Sequence, residues 1–318
     1  MTVPVIDFSS WDDRNPLALR SLADRVDAAL SATGFMAVTN IGITPELRAR
    51  AFSSARAFFA APIAQKVECI YTDPVTNFGY QPVLSETLEP GLPADLKEAF
   101  TMRDLFATST RQHTWPSPDF REIALEFFLA CNAAAARILR VIAVALDTEP
   151  DFFSARHTGP NITMRYLHYP ATGYEVGDAA QMGAGAHTDY GSITLLFQDE
   201  VGGLQLRQGD GSWLDVEPVP GAVNINTGDL MTHWSNGRYL STEHRVLPRI
   251  GHRDRYSIAY FSDPDDNTLV QCLPSCVSPE RPPQFRDRTA GEHIQAKIDA
   301  SQSRDVARSH LAQQGVYR

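Results

Sequence analysis

The sequence has little cysteine and no excess of positive charge. Its 318 residues include only four cysteines, Cys69, Cys131, Cys272 and Cys276, which are scattered and are expected to be reduced cytoplasmic thiols. Cys272 and Cys276 lie four residues apart, but no second Cys/His pair with zinc-finger spacing accompanies them. The formal net charge of −10 argues against nucleic acid or an anionic membrane as the main partner.

Signals for export and membrane insertion are also missing. The N-terminal residues contain neither a basic region nor an apolar one, so no secretory signal is expected. The longest apolar runs are interrupted by Arg137 and Arg140 and are too short to span a bilayer. A hydrophobic content of 43% and a charged content of 21% are ordinary for a globular enzyme. We therefore expect a cytoplasmic protein, monomeric or weakly self-associating, that acts on a small molecule.

The periodicity and composition of the sequence change about halfway along the chain. Residues 1–159 contain helical periodicities with N-cap and Pro signals, and residues 160–265 are short β-rich runs separated by Gly, Pro, Asp and Asn. This pattern predicts a sandwich or barrel supported by a mixed, helical N-terminal layer, in one domain spanning 1–318. Residues 266–318 are predicted to form a helical C-terminal tail.

The segment "GAGAHTDYGSITLLFQD" places His187 and Asp189 at the mouth of a predicted strand. Residues at i and i+2 of an extended chain face the same way, so one imidazole and one carboxylate share a face. The triplet alone proves little, because His252 and Asp254 repeat it in "PRIGHRDR". That second copy lies in a Pro/Gly-punctuated, charged stretch that is typical of a solvated hairpin loop.

A metal site at His187 and Asp189 needs a third ligand from elsewhere in the β-rich region. His244 in "LSTEHRVLPR" is the best candidate, and His233 in "LMTHWSNG" is the alternative. Two imidazoles and one carboxylate on one face leave three coordination positions open, which suits non-haem Fe(II) and O₂.

A second pair follows in "RYSIAYF", where Arg255 and Ser257 again stand at i and i+2. A guanidinium and a hydroxyl on one face are suited to binding a carboxylate, because Arg offers a bidentate, charge-assisted pair of donors. Tyr169 in "LHYP" could add a hydrogen bond. Arg165, four residues earlier on the same strand face, either reaches into the pocket or lies exposed.

The order "HYP … HTDYGSITLLFQD … GGLQL … NTGDL … STEHRV … RYSIAYF" resembles the 2-oxoglutarate- and Fe(II)-dependent dioxygenases of the isopenicillin N synthase-like superfamily, and among them the microbial ethylene-forming type. The resemblance implies a mainly β fold with helices, whose double-stranded β-helix (jelly-roll) core packs against long N-terminal helices. It also implies Fe(II) on His187, Asp189 and His244, and 2-oxoglutarate on Arg255, Ser257 and Tyr169. Tyr190, Phe261, Phe78, Tyr80 and Glu86 are then expected to contact substrate, together with Arg165.

The activity implied is oxidation of a small organic metabolite by O₂, with succinate and CO₂ as co-products, hydroxylation as the expected outcome and ascorbate as a supporting reductant. An oxidase of the isopenicillin N synthase type, which uses no 2-oxoglutarate, fits the same motif, because Arg255 and Ser257 could bind the carboxylate of the substrate. A catalytically inactive jelly-roll metal-binding or sensor protein is an alternative from another class.

Overall fold

The structure is a computed structural model that describes residues 2–12, 14–72, 76–89, 91–103, 105, 113–171, 181–248 and 252–297. Residues 298–318 of the predicted tail and residues 249–251 of the predicted hairpin loop lie outside the described residues.

Most of the strands lie in the second half of the chain, as the turn-punctuated sequence predicts. The predicted helical tail is wrong for residues 266–289, which contain the short strands Leu269–Val270 and Arg288–Thr289. The strands are β1 Val5–Asp7, β2 Phe35–Thr39, β3 Gly79–Gln81, β4 Glu98–Arg103, β5 Thr163–Tyr169, β6 Ala184–His187, β7 Ile193–Gln198, β8 Leu204–Arg207, β9 Trp213–Asp215, β10 Val223–Thr227, β11 His244–Val246, β12 Arg255–Ser262, β13 Leu269–Val270 and β14 Arg288–Thr289. They form a major sheet in the order β1-β2-β10-β7-β12-β5-β4-β3, a minor sheet β6-β11-β8-β9, and the pair β13-β14.

The long helices precede the β-rich region in sequence and cover one face of the major sheet. The helices are α1 Pro16–Thr33, α2 Pro45–Phe59, α3 Ile63–Lys66, α4 Pro118–Ala145 and α5 Asp229–Trp234, and residues 290–297 are also helical. The side chains of Asn15, Thr44 and Ser117 cap α1, α2 and α4, each directly before a proline. These are the start signals that the sequence carries at Thr44 and Ser117.

The long helix α4 is the backbone of the helical layer. Its 28 residues are long and apolar enough to cross a membrane by length and composition alone. In the fold, however, its apolar stripe packs on the major sheet, with Phe127 against Phe197 and Phe128 against Tyr260 at ring-centroid distances of 5.0 and 5.3 Å. The apolar stripe of α4 is therefore buried in the protein core.

Alternation along the central strands separates two apolar clusters. Ile258 and Tyr260 of β12 join the large cluster under the helices, whereas Ala259 joins a smaller cluster between the two sheets. Tyr166 and Leu167 of β5 divide in the same way. Because successive residues of a strand face opposite sides, one face of the major sheet meets the helices and the other meets the minor sheet. The predicted jelly-roll core packed against N-terminal helices is confirmed.

Gly34 joins α1 to β2 in a conformation that other residues adopt with strain. Its φ is +68°, and a Cβ there would lie 2.2 Å from the backbone oxygen of Leu240. We expect Gly34→Ala to lower the free energy of unfolding by about 2 kcal/mol or more, through both strain and the clash. Gly209→Ala is the control, because a Cβ there meets no atom within 4 Å, and it should change stability by less than about 0.5 kcal/mol. Equal effects of the two substitutions in urea denaturation would contradict this account.

Candidate metal centre and carboxylate-binding cavity

A cavity between the two sheets contains His187, Asp189 and His244 together with Arg255, the arginine of the predicted carboxylate clamp. Its surface is mostly apolar, and several polar and charged side chains converge on it, as is common for ligand sites. It is lined by Phe35, Leu88, Lys97, Arg165, Leu167, Tyr169, Ala184, His187, Asp189, Thr194, Leu196, Leu204, Asn226, His244, Val246, Arg255, Ala259 and Phe261.

The two histidines are cross-strand neighbours in the minor sheet. His187 ends β6 and His244 begins β11, and the antiparallel register places them directly opposite each other with ring centroids 4.4 Å apart. The Nδ1 atom of His187 lies 2.8 Å from the carbonyl oxygen of Gly185, and that of His244 lies 3.0 Å from the carbonyl oxygen of Thr242. A carbonyl requires the proton on Nδ1, so the Nε2 lone pair of each ring is available to a metal.

Asp189 brings its carboxylate to the histidines from the loop after β6. Its Oδ1 atom lies 3.9 Å from Nε2 of His187 and 3.8 Å from Nε2 of His244. Its Oδ2 atom accepts hydrogen bonds from Thr194 Oγ1 and, at 2.7 Å, from Asn226 Nδ2. One carboxylate oxygen is thus bound to the major sheet, and the other faces the two imidazoles.

The charge states suit a divalent cation. Burial lowers the pKa of His187 to about 4, and the nearby His244 adds to this, so that the ring is neutral at pH 7. Burial alone would raise the pKa of Asp189, but the two histidines and the hydrogen bonds from Thr194 and Asn226 lower it overall. The three ligand atoms lie within 4.8 Å of one another. Two imidazole nitrogens and a carboxylate oxygen on one side of an open cavity are the donor set of non-haem Fe(II) sites.

Arg255 is a fully buried cation whose charge is contacted only by neutral groups in the part of the chain that the structure describes. Its Nη1 lies 3.3 Å from Ser257 Oγ and its Nη2 lies 3.3 Å from Gln198 Oε1, while its buried Nε has no hydrogen-bond partner. The guanidinium lies 4.7 Å from the ring centroid of Tyr169, its register partner on β5. No carboxylate of the described residues forms an ion pair with Arg255. Since an unpaired buried charge costs several kcal/mol, this pocket is built for an anionic ligand.

Three of the predicted substrate-contacting residues come together at the cavity. Arg165 and Phe261 line it, and Glu86 forms an ion pair with Arg165, with Oε2 at 2.7 Å from Nη2. Of the two possibilities left open for Arg165, the pocket-facing one is therefore observed.

The other three lie elsewhere. Phe78 stacks on His113 at 4.1 Å, and Tyr80 packs on Phe58 and donates a hydrogen bond to Glu98, so both belong to the core under the helices. The ring of Tyr190 lies 5.5 Å from Lys297 Nζ, on the C-terminal helical segment. The same segment reaches the cavity through Gln81, which accepts a hydrogen bond from Arg165, and further along through Glu86 and Leu88.

The alternative histidines are not part of the cluster. His233 is buried in α5, with its ring 5.2 Å from that of Phe285. His252 is exposed, and Asp254 of the same triplet accepts a hydrogen bond from the backbone of Ala171. Among the described residues, His187, Asp189 and His244 form the group that could hold a metal ion.

Sequence reasoning missed the residues that support the cluster and the charged wall of the cavity. Thr194 and Asn226 hold Asp189, Gln198 contacts Arg255, and Lys97 lines the cavity. The alternation of a single strand does not predict these contacts, because Asp189 lies in the loop before β7, and Asn226 and Arg255 lie on other strands. The "NTGDL" segment contains Asn226, but only the strand order places it beside β7.

Asn226 should set the affinity of the metal site, because it fixes the orientation of Asp189. We expect Asn226→Ala to weaken Mn(II) or Fe(II) binding about 10- to 100-fold with the fold intact. Asn224→Ala, two residues earlier on the same face of β10, is the matched control and should leave metal affinity unchanged. Titration of the apoprotein with Mn(II), followed by electron paramagnetic resonance, measures both, and equal affinities would refute the role of Asn226.

Comparison with known proteins agrees with this geometry. The model of the 2OG-Fe(II) oxygenase superfamily matches residues 159–264, and that of the non-haem dioxygenase N-terminal region matches residues 3–118. The 2-oxoglutarate-Fe(II) type oxidoreductase hxnY of Emericella nidulans is 35% identical, with 96% of this chain and 91% of the relative covered. Homoarginine-6-hydroxylase of Glycine max is 31% identical over 93% of this chain and 96% of its own.

Solved structures show the same fold. The crystal structure of a full-length Neurospora crassa protein in complex with alpha-KG superimposes with a TM-score of 0.86 at 31% identity, covering 94% of this chain and 96% of that protein. The same Neurospora crassa protein has also been crystallised with alpha-KG and thymine, with a TM-score of 0.84 to this chain at 31% identity and the same coverage of both chains. The predicted ethylene-forming sub-assignment stays a prediction, since these relatives bear other names. The chain belongs to the 2-oxoglutarate- and Fe(II)-dependent oxygenase superfamily, whose members use Fe(II), 2-oxoglutarate and O₂.

Proposed function

We propose that this enzyme hydroxylates a small organic molecule, with Fe(II) held by His187, Asp189 and His244 and 2-oxoglutarate held by Arg255. The observation that supports this most directly is the unpaired, fully buried Arg255 in the same cavity as the three metal-ligand candidates. When bound, the metal and 2-oxoglutarate supply O₂ activation and oxidative decarboxylation to succinate and CO₂.

The protein supplies position and environment. Thr194 and Asn226 hold Asp189 so that its Oδ1 points at the histidines, and the carbonyls of Gly185 and Thr242 fix both imidazoles. Arg255 and Ser257 lie on β12, where they would receive the distal carboxylate of 2-oxoglutarate, with Tyr169 beside the guanidinium. Apolar side chains such as Leu196 and Phe261 limit the access of water to the reacting groups.

Use of 2-oxoglutarate is favoured over the oxidase alternative by the relatives, which are named for 2-oxoglutarate or were crystallised with it. An enzyme is favoured over an inactive metal-binding or sensor protein by the relatives, which are named as oxidoreductases and dioxygenases. Hydroxylation is favoured over other outcomes by the hydroxylase among the relatives. A cytoplasmic location, a monomeric or weakly associating state, and the absence of nucleic-acid and membrane partners stay predictions from the sequence.

Arg255 gives a test that needs no knowledge of the substrate. We expect Arg255→Gln to weaken 2-oxoglutarate binding to the Mn(II)-loaded protein about 100-fold, because the carboxylate loses its charged partner in a buried pocket. Arg207→Gln is the control, because this arginine is exposed and paired with Glu243, and it should bind 2-oxoglutarate like the wild type. Calorimetric titration under nitrogen measures the three proteins. No binding of 2-oxoglutarate to the wild type would favour the oxidase alternative, and unchanged binding to Arg255→Gln would refute the clamp.

A further inference from the structure

Once Arg255 is assigned to the co-substrate, a second polar region of the cavity has no role. Lys97 and Arg165 line the cavity, and Arg165 lies opposite Ala259 in the β5–β12 register, four residues from the Tyr169–Arg255 pair. At about 3.3 Å per residue, this separates the two arginines by roughly 13 Å along the sheet. Arg165 is therefore outside the reach of a carboxylate bound at Arg255.

The Arg165 side chain is fixed by the residues around it. Its Nη2 donates to Glu86 Oε2 at 2.7 Å and to Gln81 Oε1 at 3.1 Å, and its Nε donates to Thr101 Oγ1 at 3.2 Å. Gln81 Nε2 in turn donates to Glu86 Oε1 at 3.0 Å. The arginine and the glutamate are thus held side by side before any substrate binds. Because these contacts already fix both side chains, substrate binding costs little further conformational entropy.

Lys97 extends the network to the strand that carries His187. Its Nζ lies 3.3 Å from Glu86 Oε2 and forms a short ion pair with Asp95, whose other oxygen accepts a hydrogen bond from the backbone of Gly185 at 2.9 Å. The segment containing Glu86 and Asp95 thereby attaches to both sheets beside the metal ligands. The network contains two cations, Lys97 and Arg165, and two carboxylates.

The charges of the loaded site also cancel. Fe(II) carries +2, 2-oxoglutarate −2, Asp189 −1 and Arg255 +1, which sum to zero before substrate enters. Both the loaded metal site and the network of Lys97, Arg165, Glu86 and Asp95 then have no net charge. A charged substrate would add an uncompensated charge to a largely apolar cavity, at a cost of several kcal/mol.

We propose that the substrate is an uncharged polar molecule with a hydrogen-bond acceptor and a donor side by side, such as an amide, imide or lactam. Arg165 donates to the acceptor, Glu86 accepts from the donor, and the apolar remainder lies against Leu88, Leu196 and Phe261. The charge of Glu86 excludes carboxylates from Arg165. This inference rests on the proposed function in that it assigns Arg255 to 2-oxoglutarate.

The test compares phenylacetamide with phenylacetate, which differ only in the amide and the carboxylate. Binding is measured under nitrogen on the enzyme loaded with Fe(II) and 2-oxoglutarate, through the change that each compound causes in the visible absorption of that complex. We expect the wild type to bind the amide at least tenfold more tightly than the acid, about 1.4 kcal/mol. Glu86→Gln should reverse this preference, because it leaves Arg165 with an uncompensated positive charge.

The control is Glu126→Gln, which makes the same chemical change at an exposed glutamate paired with Arg50, and it should keep the wild-type preference. A wild type that binds phenylacetate as tightly as phenylacetamide overturns the proposal. If the wild type binds neither probe, Glu86→Gln decides: a gain of phenylacetate binding supports the proposal, and no gain overturns it. Glu86→Ala replaces Glu86→Gln if that variant does not fold.

The experiment also distinguishes failure of the proposed function from failure of this inference. A wild type that shows no absorption change when 2-oxoglutarate is added to the Fe(II) protein contradicts the assignment of Arg255. A wild type that binds 2-oxoglutarate but prefers the carboxylate probe contradicts only the role of Arg165 and Glu86.

Discussion

The carboxylate of Asp189 connects the two sheets at the point where the chemistry takes place. Its Oδ2 is held by Thr194 and Asn226 of the major sheet, and its Oδ1 faces two histidines of the minor sheet. Any change in the spacing of the sheets would therefore change the geometry of the ligand cluster. The helical layer matters to the site for the same reason, because α4 packs Phe127 and Phe128 against β7 and β12 and so fixes the major sheet.

The cavity between the sheets has two regions along β5 and β12, and they differ in how the charge of an arginine is compensated. Arg255, beside Tyr169, forms a buried cationic end that suits a carboxylate. At the other end, the charge of Arg165 is paired with that of Glu86. Arg255 has no carboxylate partner among the described residues, whereas Arg165 has Glu86. Burial makes this difference large, because charge compensation in an apolar cavity is worth several kcal/mol.

Local periodicity allowed much of the site to be predicted. The i, i+2 spacing placed Arg255 with Ser257 on one face, and both lie in β12. It also paired His187 with Asp189, but only His187 lies in a strand, and Asp189 follows β6 in a loop. The family resemblance implied substrate contacts at Phe78 and Tyr80, but these residues pack under the helices, against His113 and Phe58 respectively. Successive residues of β3 face opposite sides of the sheet, so Tyr80 packs under the helices while Gln81 contacts Arg165 at the cavity.

By itself, the sequence determined which residue types share a strand face, where helices begin, and which family the chain resembles. Only the tertiary structure decided that His244 rather than His233 stands opposite His187, that Asn226 and Thr194 hold Asp189, and that Glu86 neutralises Arg165 while Arg255 stays without an acid. Alternation along a strand is a local property of the backbone, so the sequence contains it. Cross-strand register, sheet pairing and the matching of buried charges depend on residues that are tens of positions apart, and packing of the whole chain brings these together.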